Sequence, residues 1–278
     1  MQMQRYFFKL MALAMVMVPI SGLAQEKTAS CYAHIDYGEP VSTLPTRALY
    51  IVVDQTMEMS DNMPQKIEQL IADWGRPGDL IKVARFSANM REHYPSVEYQ
   101  FKHEPKPTEK YLFGLRWADK KQLEECLARQ EGDSKAAFSK ALGQVFAGVN
   151  PKTPKTDIFQ ALKQLSKHML DNDVQEKVVL LVSDGLENSA VTSFYHKGKI
   201  RKIDSRKEIA KLRRQGLVSH WAGARIYMYG LGLPPKKQKY MDMNTAKALS
   251  KFWEHYFVEG EAKVAALGSP ELLISSVE

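Results

Sequence analysis

Residues 48–60 read ALYIVVDQTMEMS, an apolar run that ends abruptly in oxygen-bearing side chains. The run itself is typical of a buried β-strand, and Asp54, Thr56 and Glu58 follow it at alternate positions. Carboxylate and hydroxyl oxygens at one strand end are hard ligands, which suit Mg²⁺, Mn²⁺ or Ca²⁺ better than a soft metal. The stretch therefore predicts a buried strand with a divalent-cation site at its end.

Two later segments supply further ligands for such a site. The sequence KTDIFQAL places Thr156 and Asp157 where a helix begins, and VVLLVSDG is an apolar strand that ends at Asp184. Ligands of open parallel sheets collect outside the carboxyl ends of the strands, near the point where the strand order reverses. If the two strands are neighbours there, Asp54 and Asp184 lie close together and favour a cation between them. The predicted metal ligands are Asp54, Thr56, Glu58, Thr156 and Asp184.

These three motifs, in this order, resemble the von Willebrand factor A (VWA) family, and the resemblance extends from about Thr46 to Leu267. In that family a first-strand D-x-S-x-S, a distant Thr before a helix, and an Asp in a T/S-D-G turn build a metal-ion-dependent adhesion site. The resemblance implies a Rossmann-like α/β fold. It also implies a bound cation that keeps one position open for a carboxylate of a partner protein.

Glu58 departs from the family pattern, which has a small hydroxyl residue at that position. A glutamate replaces a neutral ligand by an anion and reduces the positive charge left for a partner. It is also long enough to occupy the open position itself, which would make the site structural. Simpler roles remain open for two of the acidic residues. Asp157 is suited to cap a helix, and Asp184 lies in an S-D-G sequence, which is common in turns. An empty, degenerate site is the main alternative.

Apolar β-rich runs alternate with amphipathic segments along the chain, which predicts an α/β, doubly wound, mostly parallel sheet with helices on both faces. The expected strands are 49–53, 80–86, 97–101, 178–183 and 226–231, with a last strand at either 255–258 or 263–267. The expected helices are 63–74, 120–129, 135–147, 158–170, 205–215 and 245–256.

The amino terminus has the pattern of a secretory signal. Arg5 and Lys9 precede an apolar run from Leu10 to Ile20, and Ala24 marks the expected cleavage point. An uncleaved anchor is the alternative, although the run is short for a membrane span of about 20 residues. We expect an exported protein, periplasmic or secreted, without stable membrane insertion after cleavage. The expected organisation is a signal peptide at 1–24, a leader at 25–45, a VWA-like domain at 46–267 and a tail at 268–278.

The chain has two cysteines, Cys31 and Cys126, and both lie in the part expected to be exported. An oxidising compartment favours their pairing, which would close a loop of about 95 residues and stabilise the fold by about 3–5 kcal/mol. Two independent buried thiols are the alternative.

Charge and motif content narrow the function classes. The formal net charge of +7 falls when Arg5 and Lys9 are removed, and the basic segment His196–Arg206 lacks interleaved aromatics, so we expect no nucleic-acid binding. No nucleophile turn, metal-ligand spacing of histidines or phosphate-binding glycine loop occurs, so we expect no enzyme. The expected function is binding of another protein, through an acidic side chain of that partner if the metal site is open. A metal-free structural component of the cell envelope and a divalent-metal hydrolase are the alternatives.

Overall fold

The 48–60 stretch forms the centre of a six-stranded sheet. In the computed structural model its apolar residues belong to the strand β1 (Arg47–Asp54), which is buried almost throughout. The structure describes residues 30–35, 44–87, 96–153, 155–169, 174–233, 241–268, 272 and 274–278. The chain divides into two units, Met1–Ser30 and Cys31–Glu278. The expected signal peptide and most of the leader lie outside the described residues.

The remaining strands are β2 (Asp79–Phe86), β3 (Ser96–Lys102), β4 (Glu176–Val182), β5 (Tyr195–His196), β6 (Lys199–Ile200), β7 (Arg225–Tyr229) and β8 (Lys263–Leu267). The helices are α1 (Met63–Leu70), α2 (Glu109–Gly114), α3 (Trp117–Ala147), α4 (Ile158–Met169), α5 (Ser205–Arg214) and α6 (Met243–Glu259).

The sheet has the order β3-β2-β1-β4-β7-β8, and β5 and β6 form a separate hairpin. All neighbouring pairs of the six-stranded sheet are parallel except β2 and β3. The chain runs outward from β1 through β2 to β3 and then returns to the other side of β1 as β4. The strand order therefore reverses between β1 and β4, where an α/β sheet of this kind binds ligands.

Two apolar clusters cover the two faces of the sheet, which confirms the doubly wound α/β class. Alternate residues of β1 point to opposite faces, so Tyr50 joins one cluster and Ile51 the other. Helices α4, α5 and α6 contribute to the first cluster, and α1 and α3 to the second. Among the described residues every core residue lies between Cys31 and Val277. A fragment of residues 25–278 therefore keeps all of these core residues and is expected to fold.

The structure corrects one predicted pair of helices, decides between two positions for the last strand and adds elements that the sequence did not predict. The helices expected at 120–129 and 135–147 are one helix, α3, because Gly132 lowers helix stability by only about 1 kcal/mol and does not end a helix by itself. The last strand is β8, whereas residues 255–258 belong to α6, where Tyr256 and Phe257 are fully buried. Helix α2 and the β5–β6 hairpin were not predicted from the sequence.

Both ends of the larger unit are fixed to its core. Cys31 and Cys126 form a disulfide bond that ties the leader to α3. In the segment expected to be a tail, the buried Val277 donates its N–H to the Leu70 carbonyl at 2.8 Å. The Val277 carbonyl accepts a hydrogen bond from the Trp74 indole, also at 2.8 Å. The described residues of the expected tail thus contribute to the packing on α1.

Candidate functional site

The candidate site is built around Asp54, the last residue of β1, whose side chain is fully buried. Its Oδ1 atom accepts hydrogen bonds from the Thr56 backbone N–H at 2.8 Å and from the Thr56 hydroxyl at 2.6 Å. Its Oδ2 atom accepts a hydrogen bond from the Ser183 hydroxyl at 2.7 Å. Three donors thus hold one buried carboxylate in a fixed orientation at the end of the strand.

Asp184 reaches the same place from β4. Val53 and Val182 are register partners on the parallel strands β1 and β4, so the residues that follow them emerge side by side. The Asp184 Oδ1 atom accepts a hydrogen bond from the Leu186 N–H at 2.9 Å and shapes the turn that follows. Asp54 and Asp184 therefore both lie at the point where the strand order reverses, at the carboxyl ends of two neighbouring strands.

Thr156 lies two residues before the start of α4. Its N–H and carbonyl pair with Asn188 at 3.3 Å and 2.9 Å, which fixes the approach to α4 against the segment after β4. As a result the Thr156 hydroxyl oxygen lies 2.5 Å from that of Thr56. Asp157, by contrast, accepts a hydrogen bond from the Gln160 N–H at 3.3 Å and has the capping role that the sequence left open.

Gly185 completes the S-D-G turn and permits its close packing. Its φ of +68° is in the left-handed region that favours glycine. A Cβ atom there would lie 2.4 Å from the Trp253 Nε1 atom, which donates a hydrogen bond to the Gly185 carbonyl at 3.1 Å. The turn that carries Asp184 thus depends on a glycine and on the indole of α6.

The electrostatics of the site are unfavourable for two bare carboxylates. Burial raises the pKa of Asp54. Burial, and next the negative charge of Asp54, raise the pKa of Asp184 well above its ordinary value. The phenol of Tyr195, on β5, is in the same field: burial raises its pKa, and the charges of Asp184 and Asp54 add to the effect. A positive charge between the two carboxylates would relieve this repulsion.

Glu58 differs from the other predicted ligands in its surroundings. Its side chain is partly exposed, whereas those of Asp54 and Asp184 are buried. Within the described part of the chain, no three side chains of the Asp, Glu, His and Cys types form a group able to hold a metal. The structure therefore gathers Asp54, Thr56, Thr156 and Asp184, and it does not join Glu58 to the two aspartates in one three-acid cluster.

The four gathered residues fit a hard divalent cation. They bring two carboxylates and two hydroxyls to one crevice, and such oxygen donors suit Mg²⁺, Mn²⁺ or Ca²⁺. The neutral hydroxyls and the two anions leave a bound divalent ion close to charge balance. The donor chemistry and the repulsion between the carboxylates both favour an ion at this place.

Two contributors were not assigned to the site from the sequence. Ser183 is the last residue of the strand expected at 178–183, and its hydroxyl donates a hydrogen bond to Asp54 and accepts one from the Gly185 N–H at 3.0 Å. Glu187 is fully buried, and its Oε2 atom accepts a hydrogen bond from the Ile158 N–H at the start of α4, at 2.8 Å. Burial raises the pKa of Glu187 to about 8. An acidic residue three positions beyond Asp184 was the only sequence signal for this role.

Comparisons with known proteins yield structural likeness only. No protein-family model and no curated protein matches the chain. An aerotolerance-related membrane protein from Bacteroides fragilis NCTC 9343 matches with 12% identity and a TM-score of 0.35, over 80% of this chain and 92% of that one. The VWA domain of SpRpn10 matches with 14% identity and a TM-score of 0.34, over 82% and 92% of the two chains.

Proposed function

We propose that the chain is an exported VWA-like domain that binds a divalent cation and, through it, an acidic side chain of another protein. The observation that carries this proposal is the arrangement around Asp54. One buried carboxylate, oriented by three hydrogen bonds, lies beside a second acidic residue and two threonine hydroxyls at the sheet's switch point.

Each residue has a role in this proposal. Asp54, Thr56, Thr156 and Asp184 would hold the cation, and Ser183 keeps the Asp54 carboxylate pointed toward it. When bound, the cation would offer an open coordination position to a carboxylate of the partner. Glu58 is partly exposed and follows Thr56 by two residues, and as an anion it would lower the affinity for that carboxylate or compete with it.

Export is supported by the disulfide and by the amino-terminal sequence. The disulfide between Cys31 and Cys126 persists in oxidising compartments, and reducing compartments keep thiols free. The charged and apolar pattern of residues 5–24 has the form of a secretory signal. Within the residues that the structure describes, no helix has the length and apolarity to span a membrane.

One observation favours a second candidate, a metal-free structural component of the envelope. Both oxygens of Asp54 have hydrogen-bond donors within the protein, so a cation is not needed to satisfy that side chain. In this candidate the Asp54 oxygens keep their hydrogen-bond donors, and no cation replaces them. It predicts the same stability with and without divalent ions.

Thermal unfolding of residues 25–278 in EDTA, Mg²⁺, Mn²⁺ or Ca²⁺ distinguishes the two candidates. A cation that binds only the folded state raises its stability by about 2.7 kcal/mol at a hundredfold excess over the dissociation constant. Asp54→Asn removes the charge at nearly constant volume and is expected to fold but to lose this rise. Asp61→Asn changes an exposed carboxylate nearby and is expected to keep it.

The two halves of the proposal have separate tests. No rise in the stability of the unsubstituted 25–278 protein with any of the three cations would favour the structural candidate over cation binding. For the partner, binding to an array of acidic peptides is measured in Mg²⁺ and in EDTA. Binding that requires both the ion and Asp54 supports the adhesive function, whereas ion-dependent stability without peptide binding would restrict the cation to a structural role.

A further inference from the structure

A hairpin rich in basic residues lies beside the candidate cation site. We name residues 195–202 the basic hairpin, which contains β5, β6 and the turn between them. His196 pairs with Lys199, so Lys197 and Gly198 form a two-residue turn at the tip. Both turn residues have positive φ angles, of 50° and 73°, which is the backbone that a tight β-hairpin requires. The basic hairpin is therefore a defined element with lysines at its tip.

Backbone pairing connects the basic hairpin to one of the predicted cation ligands. Thr156 pairs with Asn188, and Asn188 pairs in turn with Ser193. Because neighbouring β-paired segments are about 4.8 Å apart, the Ser193 backbone lies about 10 Å from that of Thr156. The Ser193 hydroxyl accepts a hydrogen bond from the Tyr195 N–H at 3.1 Å, and the charges of the two site aspartates act on the Tyr195 phenol. The basic hairpin thus begins beside the cation site.

The charge of the basic hairpin is not neutralised by the carboxylates that follow it in the chain. No acidic residue occurs between positions 188 and 203. Lys197, Lys199 and Lys202 are exposed, and none of them forms an ion pair with a carboxylate of the described residues. The next two carboxylates are paired with other basic residues, namely Asp204 with Lys207, and Glu208 with Arg201 and Lys211. The hairpin therefore presents three ammonium groups to solvent.

Packing on the core directs these charges outward. Tyr195 and Ile200 are cross-strand partners that pack against the first apolar cluster. Because side chains alternate along a strand, His196 and Lys199 lie on the opposite face of the hairpin, and both are exposed. One face of the hairpin thus holds it against the core, and the other face is free to contact a partner.

We propose that the basic hairpin, through Lys197, Lys199 and Lys202, binds the carboxylates of an acidic peptide segment, next to the carboxylate bound at the cation. The cation contact rests on the proposed function, whereas the lysine contact needs no bound ion. A separation of roughly 10–20 Å between the two contacts corresponds to about three to six residues of extended peptide. Nucleic acid is disfavoured, because Tyr195, the one Phe, Tyr or Trp residue of the hairpin, packs against the core and leaves no ring for bases to stack on.

Binding of two fluorescent peptides to residues 25–278 tests this proposal. The peptides have equal length and a Gly/Ser background, and one carries a single glutamate whereas the other carries a run of glutamates. The affinity for each is measured in Mg²⁺ and in EDTA by fluorescence anisotropy. We expect the glutamate run to bind about tenfold more tightly than the single glutamate in either solution, and this preference to weaken as salt is added.

Matched variants assign the preference to the basic hairpin. Lys197→Gln combined with Lys199→Gln removes two charges and is expected to reduce the affinity for the glutamate run to that for the single glutamate. Lys110→Gln combined with Lys140→Gln removes the same charge from exposed positions on α2 and α3 and is expected to keep the preference. All four side chains are exposed, and an unchanged unfolding transition confirms that both variants are folded.

Two results would overturn the proposal. One is a preference for the glutamate run that is absent at low salt, or that is equally strong with and without the two hairpin lysines. The other is a DNA oligonucleotide of equal charge that binds as tightly and with the same dependence on these lysines, which would assign the hairpin to nucleic acid.

Failure of the cation site would be seen separately. Binding of the glutamate run that depends on the hairpin lysines and is the same in Mg²⁺ and in EDTA would support the hairpin contact and contradict cation-dependent binding of the partner. Binding that requires Mg²⁺ but not the hairpin lysines would support the cation site and contradict the hairpin contact.

Discussion

The hydroxyl oxygens of Thr56 and Thr156 lie 2.5 Å apart, although 100 residues separate them in the sequence. Thr56 donates its one hydroxyl proton to Asp54, so Thr156 is the donor between the two threonines. The start of α4 is therefore linked through Thr56 to the carboxylate at the end of β1. Removal of either hydroxyl interrupts this chain of hydrogen bonds.

Thr156→Val is expected to weaken the stabilisation by Mg²⁺, because it removes a cation ligand and the donor to Thr56. Each tenfold loss of affinity lowers the rise in stability by about 1.4 kcal/mol at a fixed excess of ion. Thr156→Ser keeps the hydroxyl and serves as the control. Urea unfolding with and without Mg²⁺ measures the stability of both variants. An equal rise in stability with Mg²⁺ in Thr156→Val and Thr156→Ser would show that the Thr156 hydroxyl is not a cation ligand.

Glu187 is expected to make stability fall as the pH rises from about 5 to 8. Its pKa is raised from 4.5 to about 8 in the folded protein, so over this range the folded state keeps a proton that the unfolded state has released. The stabilisation is fully present below the unfolded pKa and is lost as the pH passes the folded one, with a total on the order of a few kcal/mol.

Glu187→Gln tests this dependence because it stays neutral at every pH and keeps an acceptor for the Ile158 N–H. Urea midpoints are measured at pH 5 and pH 8 for both proteins. We expect the variant to lose less stability than the unchanged sequence between the two values. Equal losses would assign the pH dependence to other groups.

Gly185→Ala is expected to destabilise the protein by about 2–5 kcal/mol. The substitution combines a left-handed backbone with a methyl group 2.4 Å from Trp253 Nε1 and 2.7 Å from the Leu231 side chain. Gly143→Ala is the control: no atom lies within 4 Å of its added Cβ, and an alanine favours helix α3 by up to about 1 kcal/mol. In thermal unfolding we expect Gly185→Ala to lower the stability of the protein and Gly143→Ala to raise it.

Reduction of the disulfide is expected to lower the free energy of unfolding by about 3–5 kcal/mol, because the bond joins residues 95 apart and restricts the unfolded chain. Urea unfolding with and without dithiothreitol measures the loss. The double variant Cys31→Ser/Cys126→Ser is expected to match the reduced protein and to be unaffected by the reductant. Equal midpoints for reduced and oxidised protein would contradict a stabilising bond.

Much of the fold was predictable because a buried parallel strand has few alternatives. The apolar runs at 48–53 and 178–182 can be buried only as central strands, and the structure places them as neighbours in register. The pairing of Cys31 with Cys126 followed from there being only two cysteines in a chain expected to be exported. The prediction of two helices at 120–129 and 135–147 was wrong, because Gly132 is tolerated within α3 once that helix packs on the sheet.

The sequence by itself determined the residue types at the strand ends, namely Asp54 and Thr56 after β1 and Asp184 after β4, because hydrophobic periodicity fixes where a buried strand stops. Only the tertiary structure decided which of these side chains meet. Ser183 orients Asp54 because parallel pairing brings the next residues of β1 and β4 together, and Glu187 acquires its high pKa only through burial. Distances across the sheet and the exclusion of water depend on the whole packed chain, and no local pattern encodes them.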